Sequence, residues 1–264
     1  MNPVNVDAPG QVRLSIEAGI AAVVFDRPAA RNAMTWAMYE QLGNICQQLQ
    51  ADRSVRVTTF RGAGGQAFVA GTDIAQFQTF KTGQDGLAYE AQVDHIIGQL
   101  EALPMPTVAL IEGWAVGGGL AIASTCDFRI ATVGTRLGVP IAKTLGNCLS
   151  VANLARLTAA FGQARVKRML MLAEMMNADE ALACGYLNAL VSADELQATG
   201  QQLCQRLMAL APVTQSVIKE SLRRLVNHQL PDGDDLIQRS YASADFHEGV
   251  AAFVGKRPPV WSGQ

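Results

Sequence analysis

Apolar positions along the chain change spacing from stretch to stretch, and those changes divide it into elements. From Val12 to Asp26, the alternation of Val12, Leu14 and Ile16 with polar residues, a turn at Gly19 and the apolar run Ile20 to Phe25 predict the two strands of a hairpin. Arg27 and Pro28 end the second strand. Thr35 is placed to cap a helix running to Gln50, in which Met38, Leu42, Ile45 and Leu49 share one face. Val55 to Arg61 predicts a strand, Gly62 to Gly65 a turn, and Phe68 to Ile74 a short strand leading into a new helix. Asp85 to Leu103 predicts a helix with Val93, Ile96, Ile97 and Leu100 inward, closed by Pro104 and Pro106. A unit of two strands and a helix is thus traversed twice.

The run Thr107 to Ile111 has the character of a buried strand, the glycines Gly117 to Gly119 follow a short turn, and Leu120 to Thr125 has helical composition. Three glycines let backbone approach a ligand without intervening side chains, and the first turn of a helix leaves N–H groups without intrahelical partners. Such donors suit a developing oxyanion, although a bare glycine triplet more simply serves close packing of helix on strand. Downstream, Phe128 to Thr132 and Arg136 to Val139 predict strands, Pro140 to Leu149 a loop, Ser150 to Phe161 and Gln163 to Ala173 helices, and Asn188 to Val191 a last strand. From Ala193 only helical pattern follows, with breaks at Pro212 and around Pro231 to Gly233. The fold class is α/β, with a strand-bearing core over 1–192 and a helical region over 193–264.

Composition narrows the function more than the fold. A chain of 264 residues that is 49% hydrophobic can bury a substantial core. With a net charge of -2 and no long basic run, it carries no footprint for nucleic acid or an anionic membrane surface, so any anionic ligand must be met locally. Cys46, Cys126, Cys148, Cys184 and Cys204 are scattered, with no Cys-x-x-Cys pair and no histidine cluster nearby, which predicts reduced thiols in a cytoplasm and no metal site. Met1 to Gly10 lacks the charged start and apolar centre of a signal peptide, and no run is long enough to span a bilayer. A dinucleotide-binding turn is excluded because Gly117 to Gly119 lacks the Gly-x-Gly-x-x-Gly spacing.

Several motifs in order over nearly the whole chain resemble the crotonase family, the enoyl-CoA hydratase and isomerase superfamily. They are Phe25 to Pro28 with Arg31-Asn-Ala33, Phe68 to Ile74, Pro106 to Leu120, Cys126 to Ala131, Ala183 to Asn188 and Glu248 to Pro258. The resemblance implies a crotonase-like spiral of repeated ββα units, a C-terminal helical trimerisation region, an acyl-CoA substrate with no cofactor beyond the coenzyme A it carries, and assembly as a homotrimer or dimer of trimers. It places oxyanion donors on the backbone N–H groups of Ala70 and Gly118. It places coenzyme A contacts at Arg27, Ala70, Gly71, Thr72, Asp73, Ile74, Phe253 and Lys256, the last two sometimes reaching a neighbouring subunit. Trp114, Ala121, Ile141, Asn147 and Cys148 would lie at the acyl site.

The departures from the family pattern carry as much as the matches. Family hydratases set one glutamate two residues after the glycine triplet and another directly after the proline of the Phe-Gly-x-Pro segment; here these are Ala121 and Ile141, which transfer no proton. Cys148 is more simply a small packing residue than a nucleophile, His95 more simply a solvent-facing helix residue than a proton carrier, and Asp73 a helix cap. The expected function is therefore acyl-CoA processing of the enoyl-CoA hydratase/isomerase type on a backbone oxyanion hole. Isomerisation, decarboxylation and retro-aldol cleavage stay open, as does a homologue that binds acyl-CoA without catalysis.

Overall fold

The strands divide between two sheets, because after the first hairpin each of the next three pairs of strands adds one short strand to each sheet before a helix returns the chain. The computed structural model describes residues 10–264; the expectation that the first residues hold no leader lies outside them. β1 (Gln11–Glu17) and β2 (Ile20–Asp26) form the antiparallel hairpin, and α1 (Trp36–Ala51) follows with the Thr35 side chain accepting from Met38 N–H, as the sequence pattern predicts. Then come β3 (Val57–Gly62), β4 (Ala67–Ala70), a 3-10 segment (Ile74–Thr79) and α2 (Gly83–Glu101). The next turn is β5 (Thr107–Ile111), β6 (Trp114–Val116) and α3 (Gly118–Thr125). β7 (Phe128–Thr132), β8 (Arg136–Gly138), α4 (Ile141–Thr144), α5 (Val151–Phe161) and α6 (Gln163–Met171) continue the pattern. β9 (Met176–Asn177), α7 (Ala178–Ala183) and β10 (Ala189–Val191) complete the strand-bearing part.

One sheet runs β1-β2-β3-β5-β7-β10, parallel from β2 onward, and the other β4-β6-β8-β9, parallel except at β9. Two expectations are corrected here. The turn expected before the glycine triplet is the strand β6, too short for any hydrophobic period to register, and the expected loop from Pro140 opens with the single helical turn of α4. Gly113 shows why the two sheets sit so close: its φ of 65° is left-handed, and any Cβ there would collide with the Gln66 carbonyl.

The helices beyond residue 193 are α8 (Leu196–Met208), α9 (Pro212–Val226), α10 (Asp234–Tyr241) and α11 (Ala244–Val254). Three of them do not stand apart from the core. α8 lays Leu196, Cys204 and Leu207 on the face of the six-stranded sheet formed by Val57, Val108, Leu110 and Ile130. α10 and α11 fold back on α2 and the 3-10 segment, burying Ile237, Tyr241, Phe246 and Val250 with Phe77 and Leu145. Gly86 on α2 makes this possible, since a side chain there would meet the Tyr241 ring.

α9 differs. It has no buried residue and is held by Lys219, whose Nζ reaches Asp127 Oδ2 at 2.8 Å, the Met105 carbonyl at 3.2 Å and Thr107 Oγ1 at 3.3 Å. Val213, Val217, Leu222 and Leu225 are left exposed on it. Among the described residues no helix is long and apolar enough to cross a membrane.

Candidate active site

A cavity of about 180 Å³ opens where β4 ends and α3 begins, walled also by α2, the α4 segment, α5 and α11. Its floor is backbone. After β4 the chain is stitched to the segment before α1: Ala70 N–H donates to the Arg31 carbonyl (3.1 Å), Met34 N–H to the Gly71 carbonyl (2.8 Å) and Asp73 N–H to the Met34 carbonyl (2.8 Å). Gly71 has a φ of 90°, a turn that breaks strand alternation, and the Thr72 N–H that follows has no acceptor among the described residues. Opposite it, α3 starts at Gly118, whose N–H likewise has no acceptor there, as expected for the first residue of a helix. The two meet closely: a Cβ on Gly118 would lie 3.5 Å from Thr72 Oγ1 and would collide with the Tyr39 hydroxyl.

Two tyrosines hold the Thr72 side chain. Its Oγ1 lies 2.9 Å from Tyr39 Oη and 3.0 Å from Tyr89 Oη. Burial pushes the Tyr39 hydroxyl up to about 12 and that of Tyr89 well above its ordinary value, so both are neutral.

The other wall carries a buried carboxyl. Glu90 on α2 is 3% exposed; its Oε1 accepts from Tyr241 Oη at 2.7 Å and its Oε2 from Ser150 N–H at 3.2 Å. Asn147 Nδ2 donates to Tyr241 Oη at 3.2 Å, while its buried Oδ1 has no partner among the described residues. Burial pushes Glu90 from its ordinary 4.5 to about 7, against the Tyr241 hydrogen bond; the nearby Asp94 charge adds to the rise and the Ser150 N–H opposes it. No other acidic side chain among the described residues lines the cavity, and the remainder is largely apolar, including Val93, Ala121, Val139, Ile141 and Leu157.

A family model described as enoyl-CoA hydratase/isomerase matches residues 15–264. This chain belongs to the enoyl-CoA hydratase/isomerase family, the crotonase superfamily. It is 29% identical over 250 residues to a short-chain-enoyl-CoA hydratase of Clostridium acetobutylicum, covering 93% of this chain and 95% of that one. Among solved structures it is similar to a methylmalonyl-CoA decarboxylase in complex with 2-nitronate-propionyl-CoA, with a TM-score of 0.87, 26% identity and coverage of 96% and 98% of the two chains. An enoyl-CoA hydratase/carnithine racemase from Magnetospirillum magneticum gives a TM-score of 0.78 at 32% identity, over 96% of each chain.

Within this crotonase fold the expected site residues separate into two groups. Ala70, Gly71, Thr72, Ile74, Gly118, Ala121, Ile141, Asn147 and Phe253 all line the cavity. Trp114, Cys148 and Lys256 do not. Trp114 sits at the outer start of β6, 38% exposed; Cys148 turns its Sγ toward the Leu236 carbonyl, with burial pushing the thiol up to about 11; Lys256 is exposed beyond α11. Arg27 pairs with Asp73 at 2.8 Å outside the cavity, and Asp73 also caps the 3-10 segment by accepting from Ala75 N–H.

One correction follows: Ala70 lines the cavity, but its N–H is taken by the Arg31 carbonyl, so among the described residues the unpaired donor after β4 belongs to Thr72. Phe253 faces the cavity of its own chain, because α10 and α11 fold back on α2 and the 3-10 segment. His95 is exposed beside Gln99, away from the cavity, in keeping with its reading as a solvent-facing helix residue. The sequence reading missed Glu90, although a signal was there: Glu90, Val93, Ile97 and Leu100 fall at helical spacing, a carboxyl on an otherwise apolar stripe. Tyr241, 151 residues away in sequence, gave no such signal.

Proposed function

We propose that this enoyl-CoA hydratase/isomerase homologue holds the carbonyl of an acyl-CoA thioester between the N–H groups of Thr72 and Gly118 and stabilises the enolate that forms on it. The observation that carries the reading is the pair of unpaired backbone donors on one small, largely apolar cavity. Fixed N–H groups in a site that excludes water lower the energy of a developing oxyanion without reorganising at the moment of reaction. A cavity of about 180 Å³ suits a short acyl chain. The relatives' acyl-CoA names and the acyl-CoA ligand of the decarboxylase agree with this reading. Ala121 and Ile141 place no carboxyl where the two-glutamate hydration mechanism needs one, so the reading is an enolate chemistry other than ordinary hydration.

The test separates the donor from the space around it. Gly118 is the first residue of its helix, a position that accommodates proline, but any Cβ there strikes the Tyr39 hydroxyl. In a Tyr39→Phe background, Gly118→Ala keeps the N–H and Gly118→Pro removes it. Exchange of the C2 protons of a saturated acyl-CoA in D2O, followed by NMR, reports enolate formation whatever reaction follows. The proline variant should exchange about 10²- to 10³-fold more slowly than the alanine variant. A folded proline variant exchanging at the alanine variant's rate would refute the oxyanion assignment.

A further inference from the structure

We propose that Glu90 on α2 is the acid–base catalyst of this site, in place of the carboxyls that Ala121 and Ile141 do not supply. The inference rests on the thioester reading above and goes beyond it by naming the proton carrier; isomerisation of a 3-enoyl-CoA thioester is the reaction on which it is tested. Three observations carry it. Glu90 is the only carboxyl among the described residues that lines the cavity holding Thr72 and Gly118. Its orientation is imposed from both sides, Tyr241 donating to Oε1 and Ser150 N–H to Oε2, which leaves a lone pair on each oxygen for a proton in transit. Glu90 also lines a second, outer cleft of about 470 Å³ between α2, α5 and the segment before α10, together with Gln84, Asp94, Asp232 and Asp234. A carboxyl in the wall between a reaction cavity and an open cleft can equilibrate with solvent, so its protonation state follows the pH between turnovers.

A single carboxyl selects the chemistry. Ordinary hydration uses one carboxyl pair for the water and the proton, whereas a 1,3-proton shift needs one group that takes a proton and returns it. Glu90 as carboxylate removes a proton from C2. The C–H electron pair becomes the C1–C2 double bond of a dienolate whose oxygen rests on Thr72 and Gly118. The carboxylic acid then delivers that proton to C4, the electrons settle between C2 and C3, and the thioester carbonyl re-forms. Glu90 ends as carboxylate, with no net oxidation and no co-reactant.

The titratable or charged groups around Glu90 are Tyr241 on α10, Tyr89 and Asp94 on its own helix, Tyr39 on α1 and Cys148 before α5, with Arg156 on α5 paired to Asp94 at 3.4 Å and Asp232 and Asp234 at the outer cleft. The Tyr241 hydrogen bond favours the carboxylate, so Tyr241 is a positioning residue whose loss should raise the pH at which Glu90 ionises.

The experiment uses the full chain, a 3-enoyl-CoA as substrate and a saturated acyl-CoA as binding probe in calorimetry. The parent should isomerise the substrate, with kcat/KM rising through a pH of about 7. Glu90→Gln should lose about 10²- to 10⁴-fold in kcat while binding the saturated acyl-CoA within a few-fold of the parent. Tyr241→Phe should keep turnover at high pH and move the acidic limb upward, a displacement that a merely structural role would not produce. If Glu90→Gln does not fold, the Tyr241→Phe limb decides, and an unmoved limb overturns the proposal. A parent that binds acyl-CoA but does not isomerise the 3-enoyl thioester, or a Glu90→Gln protein as active as the parent, also overturns it and leaves the oxyanion reading standing. A parent that binds no acyl-CoA overturns both.

Discussion

Replacing Glu90 by glutamine should change how the stability of this protein depends on pH, and the size of the change follows from the buried carboxyl. In the unfolded chain the group titrates near its ordinary 4.5; in the folded protein, burial holds it at about 7. Between those values the native state binds a proton that the unfolded state releases. Stability attached to this group is therefore fully present below a pH of about 4.5, falls progressively between 4.5 and 7, and is entirely lost above 7. At 1.36 kcal/mol per pH unit of displacement, the loss is about 3 kcal/mol, a sizeable part of the 5–15 kcal/mol that keeps typical domains folded. Glutamine fills nearly the same volume, still accepts from one of the two donors, and has no charge to bury. Urea unfolding of parent and Glu90→Gln at fixed protein concentration, in steps from pH 4 to 9, reads the difference directly. The variant should gain on the parent by about 3 kcal/mol across the window and be flat outside it. A gap that stays constant from pH 4 to 9 would mean that Glu90 is not held protonated by its surroundings, and the account of the cavity's polar wall would fail.

Two further outcomes are expected. Hydration of crotonyl-CoA should be very weak, because the cavity offers Ala121 and Ile141 where the family pair would stand; turnover within about tenfold of a typical 10 per second would contradict this, and Ala121→Glu with Ile141→Glu should raise it at some cost in stability. The chain should assemble through α9, whose Val217, Leu222 and Leu225 are 58%, 58% and 74% exposed; about 2,000 Å² of such burial at about 25 cal/mol per Å² is worth tens of kcal/mol before association entropy. Sedimentation equilibrium should find a trimer or a dimer of trimers that Leu222→Asp with Leu225→Asp dissociates, and a parent monomeric at micromolar concentration would refute the assignment.

Elements whose own residues carry a period or a cap were legible in the sequence. The β1–β2 hairpin, α1 behind Thr35 and α2 with its apolar stripe lie close to where spacing put them, because a helix or strand face repeats within the element itself. The glycine triplet, Asp73 as a cap and the apolar residues at 121 and 141 were equally readable, since each needs only its immediate neighbours. Tertiary structure decided the rest. The second sheet is built from strands of two to four residues, too short for a pattern, and exists only because β4, β6, β8 and β9 find one another. Which N–H stays unpaired after β4 depends on the Arg31 and Met34 carbonyls, which are distant in sequence, and so the donor moved from Ala70 to Thr72. Glu90 marked itself as a carboxyl on an apolar stripe, but its environment is made by Ser150 and Tyr241, brought in by α5 and α10. A group's proton affinity is set by what surrounds it in space, and only the folded chain specifies that.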